Sequence, residues 1–209
     1  MARPSQSIDQ LLLDSGLALL PLTGCAGLSV RRLTEHAGVN LGMFHYHFKT
    51  KENFIKAVLQ RTYEEMFAAL ALRVNPAHPP LRNLRDALGV LGSFGLKNRR
   101  LLVRILGDAM GGEPLATGFL KDNLPRHIEV IASLVEQAQS EGSLASAPLP
   151  QVIAFMAGAV AAPILAATAL QQSPGAESQA ALVLSEQALA QRIDFALRGL
   201  APGTSEEVL

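Results

Sequence analysis

The chain has 209 residues, 49% of them hydrophobic, with 18 Lys and Arg against 18 Asp and Glu and a single Cys. That length can hold one small unit and one larger one. Neutrality argues against a generic nucleic-acid coat, and one thiol cannot close an internal disulfide, which fits a reducing cytoplasm. The charge is unevenly spread: residues 1–60 carry six Lys/Arg against four Asp/Glu, and the remainder carries twelve against fourteen. So modest an excess gives weak nonspecific affinity for nucleic acid, and specificity has to lean on a dimer.

In chain order, the first element is Leu11 to Gly27, LLLDSGLALLPLTGCAG, which imitates a lipoprotein leader ending in a Leu-Thr-Gly-Cys25 box. A leader needs a cationic start and an unbroken apolar centre. Here only Arg3 lies upstream, and Asp9 and Asp14 sit beside or inside the apolar run. As a helix, the same stretch places Ile8, Leu12, Leu19 and Leu20 on one face and Asp14 away from it.

Leu28 to Phe48 follows, LSVRRLTEHAGVNLGMFHYHF. Ser29 is a good N-cap, and Val30, Leu33, Thr34 and Ala37 share one helical face. Gly38 stops that helix, where a left-handed residue is cheap. Asn40 opens a second helix whose apolar side is Phe44 and Phe48. Leu41, Gly42 and Met43 in its first turn, and His45, Tyr46 and His47 on its flank, are left for contact. Two helices around a short glycine turn form the helix-turn-helix unit, whose second helix enters a DNA major groove. Lys51 falls in the first turn of the next helix, capped by Thr50. A cation there opposes the helix dipole, and a phosphate at the same N-terminus removes that penalty.

The segment from about Ile8 to Leu59 resembles the DNA-binding domain of TetR-type transcriptional repressors. The likeness is carried by LLLDSGLALL, by Gly24, by LSVRRLTEHAGVN and by GMFHYHFKTKENFIKAVL. Most specific is the aromatic and histidine run Phe44-His45-Tyr46-His47-Phe48 followed by Lys49, Thr50 and Lys51-Glu52. Two features depart from the usual pattern: Leu41 and Met43 are apolar, which suits thymine methyls better than guanine acceptors, and Pro21 and Cys25 stand where polar residues are common.

The resemblance implies an all-α protein. Residues 1–52 would form a three-helix helix-turn-helix DNA-binding domain, 53–200 a larger helical effector-binding and dimerisation domain, and 201–209 a flexible tail. DNA contacts would come from Ser29, Arg31, Asn40, Leu41, Gly42, Met43, His45, Tyr46, His47, Lys49 and Lys51, with Arg31 directed toward bases. The last two long helices of each subunit would pair in a homodimer that binds a palindromic operator and is released by a small-molecule effector. Residues named for the effector site are Met66, Phe94, Leu101, Asp108, Met110, Phe119, His127, Phe155 and Met156. So Met/Phe-rich and charge-poor a set favours an apolar effector. No cofactor and no metal is implied.

Beyond the motif, Ala and Leu dominate and no segment alternates as a strand would. Helices are expected over Lys51–Arg73, Leu81–Phe94, Arg99–Met110, Leu115–Ser140, Pro150–Leu170 and Ser178–Leu200. Asn75-Pro76, Pro79-Pro80, Gly111-Gly112, Glu141-Gly142 and Ser173-Pro174-Gly175 supply the breaks. Pro125 should bend or start a helix, and the tail after Gly199 should fray. Val152 to Leu170 has no charge over nineteen residues and could just span a bilayer. Its many Ala and Gly, its Pro163 and its lack of cationic flanks favour a helix buried at a subunit interface.

Enzyme readings find no support. His45 and His47 lie two apart on a helix, so their side chains diverge and cannot chelate together. Gly89, Gly92 and Gly95 follow no strand and precede no phosphate-loop lysine. No nucleophile–base set can be named. The competing non-catalytic reading is a membrane-anchored or structural helical protein with a vestigial DNA-binding motif.

Overall fold

A computed structural model describes residues 5–171, 175 and 177–203, with side chains from Ile8 onward. Every regular element among these residues is helical: α1 (Ser5–Gly27), α2 (Val30–Ala37), α3 (Leu41–Phe48), α4 (Lys51–Arg73), α5 (Pro80–Met110), α6 (Pro114–Ser140), α7 (Leu149–Leu170), α8 (Glu177–Val183) and α9 (Glu186–Gly199). The all-α expectation is met.

Capping chemistry sets the first boundaries as the sequence suggests. Ser29 Oγ accepts from the Arg32 amide at 3.4 Å. Gly38 ends α2 at φ 67°, its amide donating to Glu35 and Thr34 carbonyls. Asn40 Oδ1 accepts from the Met43 amide at 3.0 Å, and Thr50 Oγ1 from the Asn53 amide at 3.1 Å. Each cap satisfies an amide that a first helical turn leaves unpaired.

Elsewhere the helices differ from the pattern. Leu81–Phe94 and Arg99–Met110 belong to one helix, α5, interrupted only at Asn98 (φ −105°, ψ 15°). Nothing in Gly95-Leu96-Lys97 stops a helix, and Asn98 Nδ2 bonds back to the Phe94 carbonyl at 3.1 Å. Helix α6 starts at Pro114, a position that needs no amide partner, and runs through Pro125. The helix expected over Ser178–Leu200 is divided, because Ser185 turns extended and its hydroxyl accepts from the Ala188 amide at 3.1 Å. Ser173 and Pro174 of the expected break, and the tail from residue 204, lie outside the described residues.

The helices sort into two compact units, neither of them a continuous segment. The first takes the described residues up to Glu65 together with Arg100–Asn123. A boundary after residue 52 would strip it of Phe54, Ile55, Val58 and Leu59, which fill its core beside Leu12, Leu20, Leu33 and Phe44. Helix periodicity marks these α4 residues as apolar but not which core receives them. Leu101, Ile105 and Ala116 close the same core.

Within this unit the end of α1 is clasped by α5. Gly24 breaks α1 at φ 69°, ψ −177°. The next amide, of Cys25, donates to Asp108 Oδ2 at 2.8 Å. Asp108 Oδ1 accepts from Arg104 Nε at 3.0 Å, and Arg104 Nη2 donates to the Thr23 carbonyl at 3.2 Å. A Cβ on Gly24 would fall 2.4 Å from Arg104 Nε. Cys25 is 1% exposed. Its burial, then the Glu113 and Asp108 carboxylates, push the thiol up to about 12. A buried, protonated sulfur cannot serve as an exposed attachment point, which counts against the membrane-anchored alternative.

The second unit takes Met66–Arg99 and the described residues from Leu124 onward. Its core runs through Leu84, Leu88, Leu134, Val135, Val152, Met156, Ile164, Leu189 and Ile193. Of the three spaced glycines in α5, Gly92 alone has to be small: a Cβ there would meet Leu189 Cδ1 at 2.4 Å, whereas Gly89 faces open space. Arg85 pairs with Asp194, and Ser93 Oγ donates to Glu186 at 2.8 Å. Helix α7 is long and apolar enough to cross a membrane, yet Val152, Met156, Val160 and Ile164 line this core at helical spacing.

Replacing Gly24 by Ala should destabilise the protein by roughly 2 kcal/mol or more, since left-handed backbone and a steric clash coincide. A urea titration measures this; an unchanged midpoint would show that the clasp yields freely.

Candidate nucleic-acid interface

The interface is built on one short helix with two unlike sides. Phe44 is completely buried, with ring centroids 5.9 Å from Phe48 and 5.5 Å from Phe54. Phe48 stands edge-on to Phe54 at 4.9 Å. Those rings fasten α3 to the core of its unit, each buried ring contributing about 1.5–3 kcal/mol. The other side lies open. Leu41 is 50% exposed and Tyr46 67% exposed, and Asn40, Gly42 and His45 are exposed with them, while Met43 is half-buried.

The C-terminal end of α3 is strained. Lys49 takes φ 65°, ψ −56°, and the Thr50 amide donates to the Phe48 carbonyl at 2.7 Å. That is a positive-φ γ-turn, rare for a residue with a side chain and costing on the order of 1–3 kcal/mol. It places Lys49 Nζ 5.7 Å from the centre of the Tyr46 ring.

Several expected contact residues already hold partners. Arg31 Nε pairs with Glu35 at 2.9 Å on the surface of α2. Arg32 is exposed and has no ion pair among the described residues, so the freer cation is its neighbour. The i,i+4 spacing of Arg31 and Glu35 carries that signal in the sequence. Lys51 Nζ donates to the Ala26 carbonyl at 3.0 Å, tying the start of α4 to the end of α1. Glu52 occupies the same helix N-terminus. Its own amide, then the Thr50 hydroxyl, hold its carboxyl below the usual range. A phosphate arriving there would therefore share those groups rather than find them vacant. Ser29 acts through its cap.

His47 needs correction as a flank residue. It is half-buried, packs edge-on to Tyr46 with centroids 5.1 Å apart, and its Nε2 is buried with no hydrogen-bond partner. Three positions from Phe44, it shares the inward side of the helix.

The nine residues named for an effector site do not gather as one cluster within either unit. Leu101, Asp108, Met110 and Phe119 belong to the first, where Asp108 serves the clasp, Leu101 and Phe119 serve the core, and Met110 is 82% exposed. Met66, Phe94, His127, Phe155 and Met156 belong to the second. Met66 and Met156 are buried, Phe94 is half-buried, and Phe155 is exposed. Burial holds the His127 imidazole below its ordinary value, toward the neutral form. An open groove of about 560 Å³ in this unit is lined by Phe67, Val74, Arg126, Glu129, Val130, Ser133, Leu134 and Gln137, none of them among the nine. Sequence reading missed it because Phe67 and Val74 on α4 and the α6 residues converge only in three dimensions.

Residues 12–58 match the family of bacterial regulatory proteins, tetR family. An HTH-type transcriptional regulator encoded in the dhlA 5′ region of Xanthobacter autotrophicus, itself uncharacterised, is 27% identical over 73% of this chain and 79% of its own. The match puts a TetR-type DNA-binding segment at residues 12–58, and the chain is similar over most of its length to an HTH-type transcriptional regulator. Solved structures share the fold of this chain at lower identity. The ketosteroid transcriptional regulator KstR2 of Mycobacterium tuberculosis superposes with a TM-score of 0.71 at 18% identity, covering 93% of this chain and 95% of that one. A Clostridium perfringens protein described as a fatty acid metabolism regulator gives 0.74 at 16% identity, over 92% and 100%.

Replacing Lys49 by Gly should raise stability by about 1 kcal/mol, because glycine relieves the positive φ. The same change should lower the salt dependence of DNA binding by about one ion. Thermal unfolding and a salt titration read the two effects separately; lost stability would mean that the turn is unstrained.

Proposed function

We propose that this chain is a cytoplasmic repressor that binds a palindromic operator as a homodimer and releases it when a small apolar molecule occupies the second unit. One observation carries the DNA-binding part: α3 is anchored through Phe44 while Leu41, Gly42, His45 and Tyr46 stand in solvent. A helix of that kind can enter a major groove with its N-terminal residues at base edges.

The dimer is supported by an apolar surface on the last helices. Phe155 is 49% exposed and Phe195 64%. Around Phe155 on α7, Ala154, Ala157, Gly158, Ala161 and Ala162 are exposed too. Small side chains permit close helix approach, and a contiguous apolar patch of this kind marks an interaction site. A two-fold axis through it would set the paired reading helices about 34–36 Å apart, one turn of DNA. An effector that prefers another subunit arrangement would shift the population away from that spacing. Helix α4, which starts at Lys51 and contributes residues to both units, is the candidate lever. Phe94, His127 and Met156 are the candidate effector contacts, since they share the second unit with its largely apolar core.

Selection of bound fragments from random DNA with the full chain should enrich inverted repeats. Tyr46→Ala should then weaken operator binding about tenfold or more. Phe195→Glu should yield a monomer in sedimentation and abolish half-site cooperation. Failure to enrich any sequence would overturn the proposal, and a dimer that survives Phe195→Glu would overturn its interface.

A further inference from the structure

We propose that α3 reads its operator chiefly through thymine C5-methyl groups, so that the base pairs beneath Leu41 and Met43 are A·T. This rests on the reading that α3 lies in the major groove, and it specifies what the helix recognises there.

Each base pair presents its own chemistry in that groove. Guanine calls for a forked or cationic donor, adenine for a carboxamide, cytosine for an acceptor, and the thymine methyl for apolar surface. Helix α3, Leu-Gly-Met-Phe-His-Tyr-His-Phe, contains no Arg, Lys, Asn, Gln, Asp or Glu. The one adjacent carboxamide, Asn40, has its oxygen bonded to the Met43 amide at 3.0 Å. It therefore cannot present the paired donor and acceptor that adenine needs without releasing the helix cap. Of the nearby cations, Arg31 is paired with Glu35, Lys51 donates to the Ala26 carbonyl and Lys49 lies beside the Tyr46 ring; Arg32, with no ion pair among the described residues, belongs to α2 and not to the first turn of α3. What the first turn offers is Leu41, half in solvent although it is a large apolar side chain, and Met43 beside it.

The surroundings of Leu41 and Met43 are compatible with this. Gly42 separates these side chains, and a Cβ there would meet only Asn40 Oδ1, at 3.2 Å. The glycine spares the Asn40 cap a tight contact, and its lack of a side chain also lets the helix approach base edges closely. His45 Nδ1 lies 3.2 Å from the Lys49 carbonyl. A carbonyl can only accept, so Nδ1 donates in this contact, and in the tautomer protonated at Nδ1 alone Nε2 is left as an acceptor. An acceptor there suits an amino group, adenine N6 or cytosine N4, so the choice of pair is left to Leu41 and Met43.

The test uses the full-length regulator and its selected operator. If selection enriches no sequence, the DNA-binding proposal itself falls, before any question of base chemistry arises. With an operator in hand, each thymine is replaced in turn by deoxyuridine, which removes the methyl and keeps pairing and phosphates intact. One or two positions per half-site should lose affinity about three- to fivefold, the effect of withdrawing one buried methyl. Leu41→Ala or Met43→Ala should erase that thymine–uracil difference at its own position. Circular dichroism confirms that the variants fold. Uniform indifference to uracil, a half-site whose invariant pairs are G·C, or a thymine–uracil difference that survives both alanine variants would each overturn the inference.

Discussion

Phe44 sits in its core with no exposed surface, against Phe48 and Phe54, and the character of α3 follows from that contact. Eight residues make barely two helical turns, too short for a helix to persist by itself in water. The aromatic cluster supplies what propensity cannot. By fixing one side of α3 it leaves Leu41, Gly42, His45 and Tyr46 in solvent, where burial would otherwise draw at least the Leu and the Tyr inward. Exposed apolar surface is therefore a consequence of anchoring here, and in the proposed complex a base edge would cover it.

Around this anchor, short polar links align the pieces. Caps at Ser29, Asn40 and Thr50 begin three successive helices within little more than twenty residues. The Lys49 γ-turn stores strain where α3 passes to α4. On the opposite flank, the Asp108 carboxylate holds both the Cys25 amide and Arg104, so a distant stretch of α5 grips the end of α1. These links use up polar groups that a surface reading would leave free. Arg31, Lys51 and Asn40 are partly occupied before any DNA arrives, which leaves the apolar first turn for the recognition proposed above.

Helix α7 shows how one composition supports opposite environments. By length and hydropathy it could cross a bilayer. Val152, Met156, Val160 and Ile164 recur every four residues and enter the core of the second unit. The remaining circumference is mostly Ala and Gly around Phe155 and is exposed. Apolar on every side, such a helix leaves its outer face uncovered, and the proposed second copy of the same surface would cover it without burying charge.

Local chemistry alone determined much of this. Ser29, Gly38, Asn40 and Thr50 marked the helix-turn-helix boundaries, and α4 spans Lys51–Arg73 as its pattern indicates, because caps and periodicity act over three or four residues. The inward turn of His47 and the Arg31–Glu35 pair were also legible in i,i+3 and i,i+4 spacing. Tertiary structure alone decided that α4 and α5 contribute to two cores, that Asp108 joins the first unit's clasp rather than an effector site, and that Gly24 must lack a side chain. The division follows range: a cap is satisfied by its own neighbours, whereas Asp108 meets Cys25 across 83 residues of chain and only packing can bring them together.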